Sequence, residues 1–328
     1  MNADMAVVAP IDKQEARAWV PWRKGPDQMV LRCTGSLLSR LAYGAYLHWP
    51  LPRGRRSLLR LLGRLPFISS HITSVPFRSA FGGACALDMT SAEFHYLSGF
   101  MPAEPLEVML MTRLVDKDDV FVDVGANVGL YVIHILGLMT GGKAYYALEP
   151  DPDNFSFLRR TCGSPDQLNL IQAGASDHKG SATLTRTNSL EGTLEATETA
   201  GQGTVSVDIL RIDDLLKDLT ADQKIVLKID VEGHEPSVIR GMSGLVGRGI
   251  LPIMQIEYLP ESAGGKRHLI DAALEETFGD KLAFYAIAND DRLLYPIDLK
   301  DEIGPEALNI LALPHAETGR IDRIFAKQ

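Results

Sequence analysis

The chain reads as an α/β protein whose mostly parallel sheet carries a nucleotide-type ligand site. Three strings predict it: residues 121–129 (FVDVGANVG), 145–150 (YYALEP) and 225–235 (IVLKIDVEGHE). Each is a short apolar run closed by an acid. Buried parallel strands read as such runs, and ligands in open α/β sheets sit at their carboxyl ends.

The first string is a strand carrying Asp123 that breaks into a turn spaced by Gly125 and Gly129, with Ala126 and Asn127 between them. Glycine lets a backbone turn sharply and approach a ligand closely. A helical pattern follows from Leu130 to about Thr140, so the turn meets a helix N-terminus. A dinucleotide turn needs G-x-G-x-x-G to hold a pyrophosphate on its amides. Here the third glycine is missing, and Asp123 would repel phosphate while attracting an ammonium. This disfavours an NAD-linked oxidoreductase and favours S-adenosylmethionine, which has an α-amino group, a sulfonium and no phosphate.

The second string is the next strand, after the turn at Gly141 and Gly142, and Glu149 lies 20 residues beyond Gly129. At about that offset an acid takes ribose hydroxyls; a solvated charge at a strand end is the plainer reading. Pro150 begins a turn, and residues 151–154 cap a helix over 155–162. The third string is interrupted only by Lys228, which shares a face with Asp230. It sets Asp230, Glu232, His234 and Glu235 on the same rim as Asp123 and Glu149. Capping of the helix over 236–241 accounts for acids there, but it requires neither His234 nor Lys228.

Together V-D-V-G-A-N-V-G, A-L-E-P-D-P and L-K-I-D-V-E-G-H-E resemble the FkbM-type methyltransferases. Further matches are G-A-S-D-H-K-G at 174–180, V-D-I-L-R-I-D-D-L at 207–215 and P-I-M-Q-I-E at 252–257, and the resemblance spans residues 101–288 in order. His234 stands where many members have a small residue, and Ile212 replaces the leucine of the common Leu-Asp-Asp-Leu. The resemblance implies a class I, Rossmann-like sheet, mostly parallel with an antiparallel C-terminal strand. It implies that Asp123, Gly125, Ala126, Asn127 and Gly129 line the methionine end of S-adenosylmethionine. Glu149 would hold the ribose with support from Asn154, Asp177 would meet the adenine amino group, and Asp230 would face the methyl group and the acceptor. Glu257, ending the fifth strand, lies on the same rim.

Methyl transfer to an alcohol requires positioning and removal of the hydroxyl proton. His234 is the natural base, because its unperturbed pKa is about 6.5. Asp230 is the main rival, with Glu232 as an orienting group; a surface loop histidine is the plain alternative. Asp230, Glu232, His234 and Glu257 could also supply an oxygen-rich shell for a divalent metal, although none is predicted. The expected activity is O-methylation of a small-molecule or glycan hydroxyl on a sugar, glycan or natural product. The alternatives are an N- or C-methyltransferase on the same fold and a regulatory protein that binds S-adenosylmethionine without turnover.

Of the 328 residues 45% are apolar and 23% charged, as in folded globular chains. Cys33, Cys85 and Cys162 form no disulfide or zinc pattern. Residues 1–10 lack the apolar core of a signal peptide, and no apolar run approaches the ~18 residues of a membrane span, so a cytoplasmic location is expected. Up to Ala80 there are 12 Lys and Arg against 4 Asp and Glu, while the rest of the chain carries net −17 of the total −9. An acidic body argues against a nucleic-acid partner. The expected division is a basic helical extension with a small sheet or lid over 1–100 and the cofactor-binding domain over 101–328. Oligomeric state has no signature in the sequence.

Within the extension, Arg56, Arg60 and Arg64 recur every four residues opposite Leu58, Leu59, Leu61, Leu62 and Leu65. This predicts an amphipathic helix over 53–65, after a turn at 49–52 and ended by Pro66. It either packs its leucines on the domain or lies on a membrane surface. Residues 84–89 read as a strand and 105–114 as a helix. Residues 181–186 and 204–207 read as extended, and the Gly-, Thr- and Ser-rich 188–203, with Ser189 and Thr193, as a mobile loop. A helix over 269–278 and strands over 284–288, 293–295 and 309–312 close the fold.

Overall fold

The computed structural model describes residues 17–18, 31–48, 54–79, 82–97, 105–139, 144–186, 192–195, 204–288, 293–301, 303–305 and 307–325. The expected turn at 49–52, the glycines 141 and 142, and most of 188–203 lie outside them. The first elements are β1 (Arg17–Ala18), β2 (Arg32–Cys33), α1 (Leu37–Leu47), α2 (Arg55–Leu62), α3 (Pro66–Ser69), β3 (Val75–Arg78), β4 (Ala84–Leu87), α4 (Ala92–Leu97) and α5 (Pro105–Leu114). There follow β5 (Val120–Val124), α6 (Leu130–Ile135), β6 (Tyr145–Leu148), α7 (Pro152–Cys162), β7 (Leu168–Ile171), β8 (Gly174–Ala175), β9 (Gly180–Arg186), β10 (Gly192–Glu195), β11 (Thr204–Leu210) and α8 (Ile212–Leu215). The chain closes with β12 (Ile225–Ile229), α9 (Glu235–Arg240), α10 (Ser243–Gly247), β13 (Ile253–Glu257), α11 (Arg267–Phe278), β14 (Leu282–Ala288), β15 (Leu293–Ile297), β16 (Ala307–Pro314) and α12 (Ile321–Phe325).

Among the described residues the main sheet has the order β1-β15-β14-β16-β13-β12-β5-β6-β7. Its half from β13 to β7 is parallel throughout. β16 enters antiparallel between β13 and β14, as expected for the C-terminal strand. All five residues of β5 and of β12 are buried, which explains why these strands are apolar along their length. With β5 and β12 adjacent, the ends carrying Asp123 and Asp230 lie side by side.

Two smaller sheets flank the main one. β2, β3 and β4 form a three-stranded antiparallel sheet, which includes the strand expected over 84–89. β10 and β9 form a hairpin extended by β11 and β8. Thr193, expected in a mobile loop, is therefore in a strand, paired with Thr185. Threonine-rich alternation suits a half-solvated hairpin, and few large apolar residues do not exclude one. The core runs without a break from Leu31, Tyr43 and Phe77 through Val108 and Phe121 to Ile324, and β1 joins the main sheet. The described residues from Leu31 to Leu97 thus contribute to the same core.

Local signals set the helix ends. α7 starts at Pro152, three residues earlier than expected, because Pro is favourable at the first helical position. Asp151 caps it through its side chain. α2 ends at Leu62 with Gly63 as its cap, so the helix expected to reach Leu65 is shorter, and Pro66 instead opens α3. Arg64 and Leu65 fall beyond it, and Leu59 is the one leucine of the expected face that is fully buried.

Arg320, just before α12, fixes its segment to the start of β5. Arg320 donates to Asp119 Oδ2 at 2.6 Å, to Asp119 Oδ1 at 3.1 Å and to the Leu114 carbonyl at 2.9 Å. Arg320→Ala leaves a buried carboxylate without its cation and is expected to lower stability by about 3–5 kcal/mol. Differential scanning calorimetry would show this as a large fall in Tm.

Candidate active site

Lys228, in the middle of β12, is the centre of the rim, with its side chain 5% exposed. Its Nζ donates to the Gly125 carbonyl at 2.7 Å. The same nitrogen lies 3.3 Å from Asp230 Oδ2, 3.8 Å from Asp123 Oδ1 and 5.3 Å from the centre of the Tyr131 ring. The shared face of Lys228 and Asp230 expected from strand periodicity is therefore a contact. Asp123 is fully buried and also accepts a hydrogen bond from Tyr145 Oη at 3.2 Å. Burial pushes its carboxyl up to about 6 against the pull of Lys228. Asp123, expected to meet a ligand ammonium, also has the protein's own ammonium 3.8 Å away.

The turn after β5 is defined by three left-handed residues, Gly125 (φ 81°), Asn127 (φ 50°) and Gly129 (φ 96°). A Cβ on Gly125 would stand 2.0 Å from the Asp230 carbonyl oxygen, and one on Gly129 2.8 Å from Leu158 Cδ1. Both glycines are thus required by backbone packing, whatever they contribute to a ligand. The amides of Gly125 and Ala126 both donate to the Leu148 carbonyl, at 3.0 and 2.8 Å, and that of Gly129 to the Ala126 carbonyl at 2.8 Å. The Asn127 amide donates to Glu149 Oε2 at 2.8 Å. With these four amides engaged inside the protein, the turn is a poor cradle for a pyrophosphate and is lined instead by acids.

Glu149 is buried, and its second oxygen accepts the Asp151 amide at 2.8 Å. Burial pushes its carboxyl up to about 7, although two amides hold it down. Each of its oxygens keeps a lone pair for a hydroxyl donor. Asn154 is in the first turn of α7, its amide bonded to Asp151 at 3.3 Å. Arg186 from β9 donates to Asp151 Oδ1 at 2.9 Å, which ties the hairpin to the turn that presents Glu149.

Asp230, Glu232 and Glu257 form the acidic part. Burial, followed by the charges of Asp230, Glu235 and Glu232, drives the Glu257 carboxyl up to about 9. Glu232 has a left-handed backbone (φ 54°), an uncommon state for a residue with a Cβ, and is followed by Gly233 at φ 94°. Glu235, the first residue of α9, accepts the amides of Val231 and Gly233 at 3.0 and 3.1 Å; it ties the preceding loop to the helix instead of capping it, and α9 has no side-chain cap.

His234 faces a different corner. Its Nε2 is 3.1 Å from Ser176 Oγ, and burial lowers its pKa. Next to it Asp177 is exposed and 2.7 Å from His178 Nδ1, a bond that lowers the Asp177 carboxyl. The rim therefore splits into a Lys228–Asp230–Glu257 corner and a Ser176–Asp177–His234 corner. Asp230 and Glu257 come together, and His234 does not join them. Among the described residues no group of three or more His, Cys, Asp or Glu is placed to hold a metal ion. The shell considered from Asp230, Glu232, His234 and Glu257 does not form, since the imidazole turns to Ser176.

Tyr131, Tyr145 and Ser176 were not foreseen. Tyr131 supports Lys228 with its ring while its hydroxyl accepts from Gln255 Nε2 at 2.7 Å. The one sequence signal for this layer was a lysine inside an otherwise apolar buried strand.

A carboxylate-lined rim with its turn amides engaged suits a ligand bearing hydroxyls and positive charge. Residues 123–283 match the family described as the methyltransferase FkbM domain. The hexuronic acid methyltransferase AglP of Haloferax volcanii is 26% identical over 137 residues, 42% of this chain and 55% of the relative, so the chain spans about half of that relative's length. Among solved structures, a methyltransferase FkbM from Methylobacillus flagellatus KT aligns at 16% identity and TM-score 0.37, covering 60% of this chain and 44% of that one. A precorrin-6y C5,15-methyltransferase from Geobacter metallireducens GS-15 aligns at 15% identity and TM-score 0.35, covering 65% and 88%. The matched segment holds the end of β5 with Asp123, its turn, Glu149 and the Lys228–Glu257 rim, and over these residues the chain carries an FkbM methyltransferase domain.

Proposed function

We propose that this protein is an S-adenosylmethionine-dependent O-methyltransferase acting on a hydroxyl of a sugar, a glycan or a related natural product. The observation that carries this reading is the Asp230–Glu257 pair beside the buried Lys228 ammonium. Bound S-adenosylmethionine would supply a methyl group already activated on a sulfonium. Glu149 would take the ribose hydroxyls, and the 125–129 turn would lie along the methionine end. Asp177 would be near the base, with His234 fixing that corner through Ser176.

Asp230 then has the base's role that His234 was expected to take. It is partly exposed at a strand end and held by Lys228 at 3.3 Å. Its neighbour Glu257 stays protonated at neutral pH and can donate a hydrogen bond to the acceptor oxygen. Asp230 accepts the hydroxyl proton as the oxygen attacks. The acidic rim favours a neutral hydroxyl over an anionic carboxylate acceptor. The hexuronic acid named in the relative's description supports a sugar as the acceptor class.

Calorimetric titration is expected to give binding of S-adenosylmethionine and its demethylated product, and none of NAD. Glu149→Ala should weaken the product's binding by at least about tenfold, the worth of one charge-assisted hydrogen bond. No heat with either methionine-derived ligand would sink the reading. In a mass-detected screen of glycan hydroxyls, Asp230→Asn should cut kcat by about 100-fold or more while leaving product affinity in place. His234→Ala should stay within about tenfold of the parent; the reverse ranking would return the base's role to the histidine.

Glu257 gives a stability test. Its pKa rises from 4.5 to about 9 on folding, so the folded state binds the extra proton. The stability this contributes is complete below the unfolded value and is lost as pH rises toward the folded one. Glu257→Gln, always neutral, should flatten the decline of Tm between about pH 5 and 8. At the upper end it should exceed the parent by roughly 2–4 °C.

A further inference from the structure

Of the large apolar side chains that the described residues leave exposed, most lie in one short stretch: Leu37, Leu38, Leu41, Leu61, Leu65 and Phe67. The others are Leu269 and Leu308. Leu37 and Phe67 are 65% and 70% exposed. On α1 the exposed leucines share one face, at spacings of one and four residues. The opposite face buries Ser39, Tyr43 and Tyr46, with the Tyr43 ring edge-on to Phe77 and Phe94 and the Tyr46 ring tilted against Phe94. The core is therefore filled without the outward leucines. α1 packs against α2, which carries Leu61, and Leu65 and Phe67 follow at once.

Within the segment that carries these residues the charge is of one sign. Residues 31–80 contain eight arginines and no lysine, aspartate or glutamate. Arg32, Arg40, Arg60 and Arg64 are all exposed. A second copy of the chain seated on this face by a two-fold axis would set arginine against arginine. A nucleic acid would answer the charge but leave the leucines and Phe67 in water. An anionic lipid surface answers both, taking apolar side chains below the headgroups and guanidinium groups among the phosphates.

We propose that α1, α2 and the start of α3 form a docking face for an anionic membrane surface, with Leu41, Leu61 and Phe67 as insertion points and Arg60 and Arg64 as headgroup contacts. The protein lies on the bilayer; among the described residues no helix is long and apolar enough to cross it.

The test is co-sedimentation of the full chain with phosphatidylcholine vesicles, with and without phosphatidylglycerol. The chain should pellet with the anionic vesicles and be released by salt. Leu41→Ser/Leu61→Ser/Phe67→Ser and Arg60→Glu/Arg64→Glu should each weaken binding by at least about tenfold with an unchanged Tm. Leu269→Ser, exposed elsewhere, should bind as the parent does. Failure to pellet with anionic vesicles, or a triple variant that pellets as well as the parent, overturns the proposal. So does a dimer in light scattering that the triple variant converts to monomer, which would assign the face to a second copy.

Discussion

The buried ammonium of Lys228 is the constraint on which the rest of the rim depends. A charge taken out of water is costly unless oxygens surround it. Here a carbonyl, two carboxylates and an aromatic face do so. Those partners come from the strand carrying Asp123, the turn after it, the end of β12 and the helix after the turn. One side chain therefore decides where four segments stand relative to each other. It also separates the acids by role: Asp123 is sealed beneath the turn, Asp230 is left at the surface, and Glu257 keeps its proton in the field of its neighbours.

The rim is acidic where phosphate-binding folds are basic or rich in unengaged amides. Two features produce this. The left-handed positions of the turn direct its amides to Leu148, Ala126 and Glu149, and successive parallel strands each end in a carboxyl. Burial raises Asp123, Glu149 and Glu257 alike.

Much of this was legible in the sequence. β5, β6, β12 and β13 could be read because doubly covered parallel strands leave runs such as IVLKI. The spacing of Gly129 and Glu149 is set by one βαβ unit and is therefore local. What resisted reading was the direction of side chains at strand ends. Asp123 has the residue type of a ligand contact, but its partners Tyr145 and Lys228 are 22 and 105 residues away, and only the fold brings them near. His234 sits in a chemically dense string, yet its partner Ser176 is on another loop. The hairpin β9–β10 escaped because polar, threonine-rich sequence serves a solvated strand as well as a loop.

The contact between Gly125 and the Asp230 carbonyl has a mechanical consequence. The turn proposed to hold the methyl donor and the strand end proposed to face the acceptor meet backbone to backbone, with no side chain to act as a spacer. On the proposed function, the two backbone segments that would hold donor and acceptor keep a spacing set by this packing, which acts as a gauge. Substitutions in the surrounding loops can reshape what the site admits without resetting that gauge. A fold of this kind can change its customers while its stroke length stays the same.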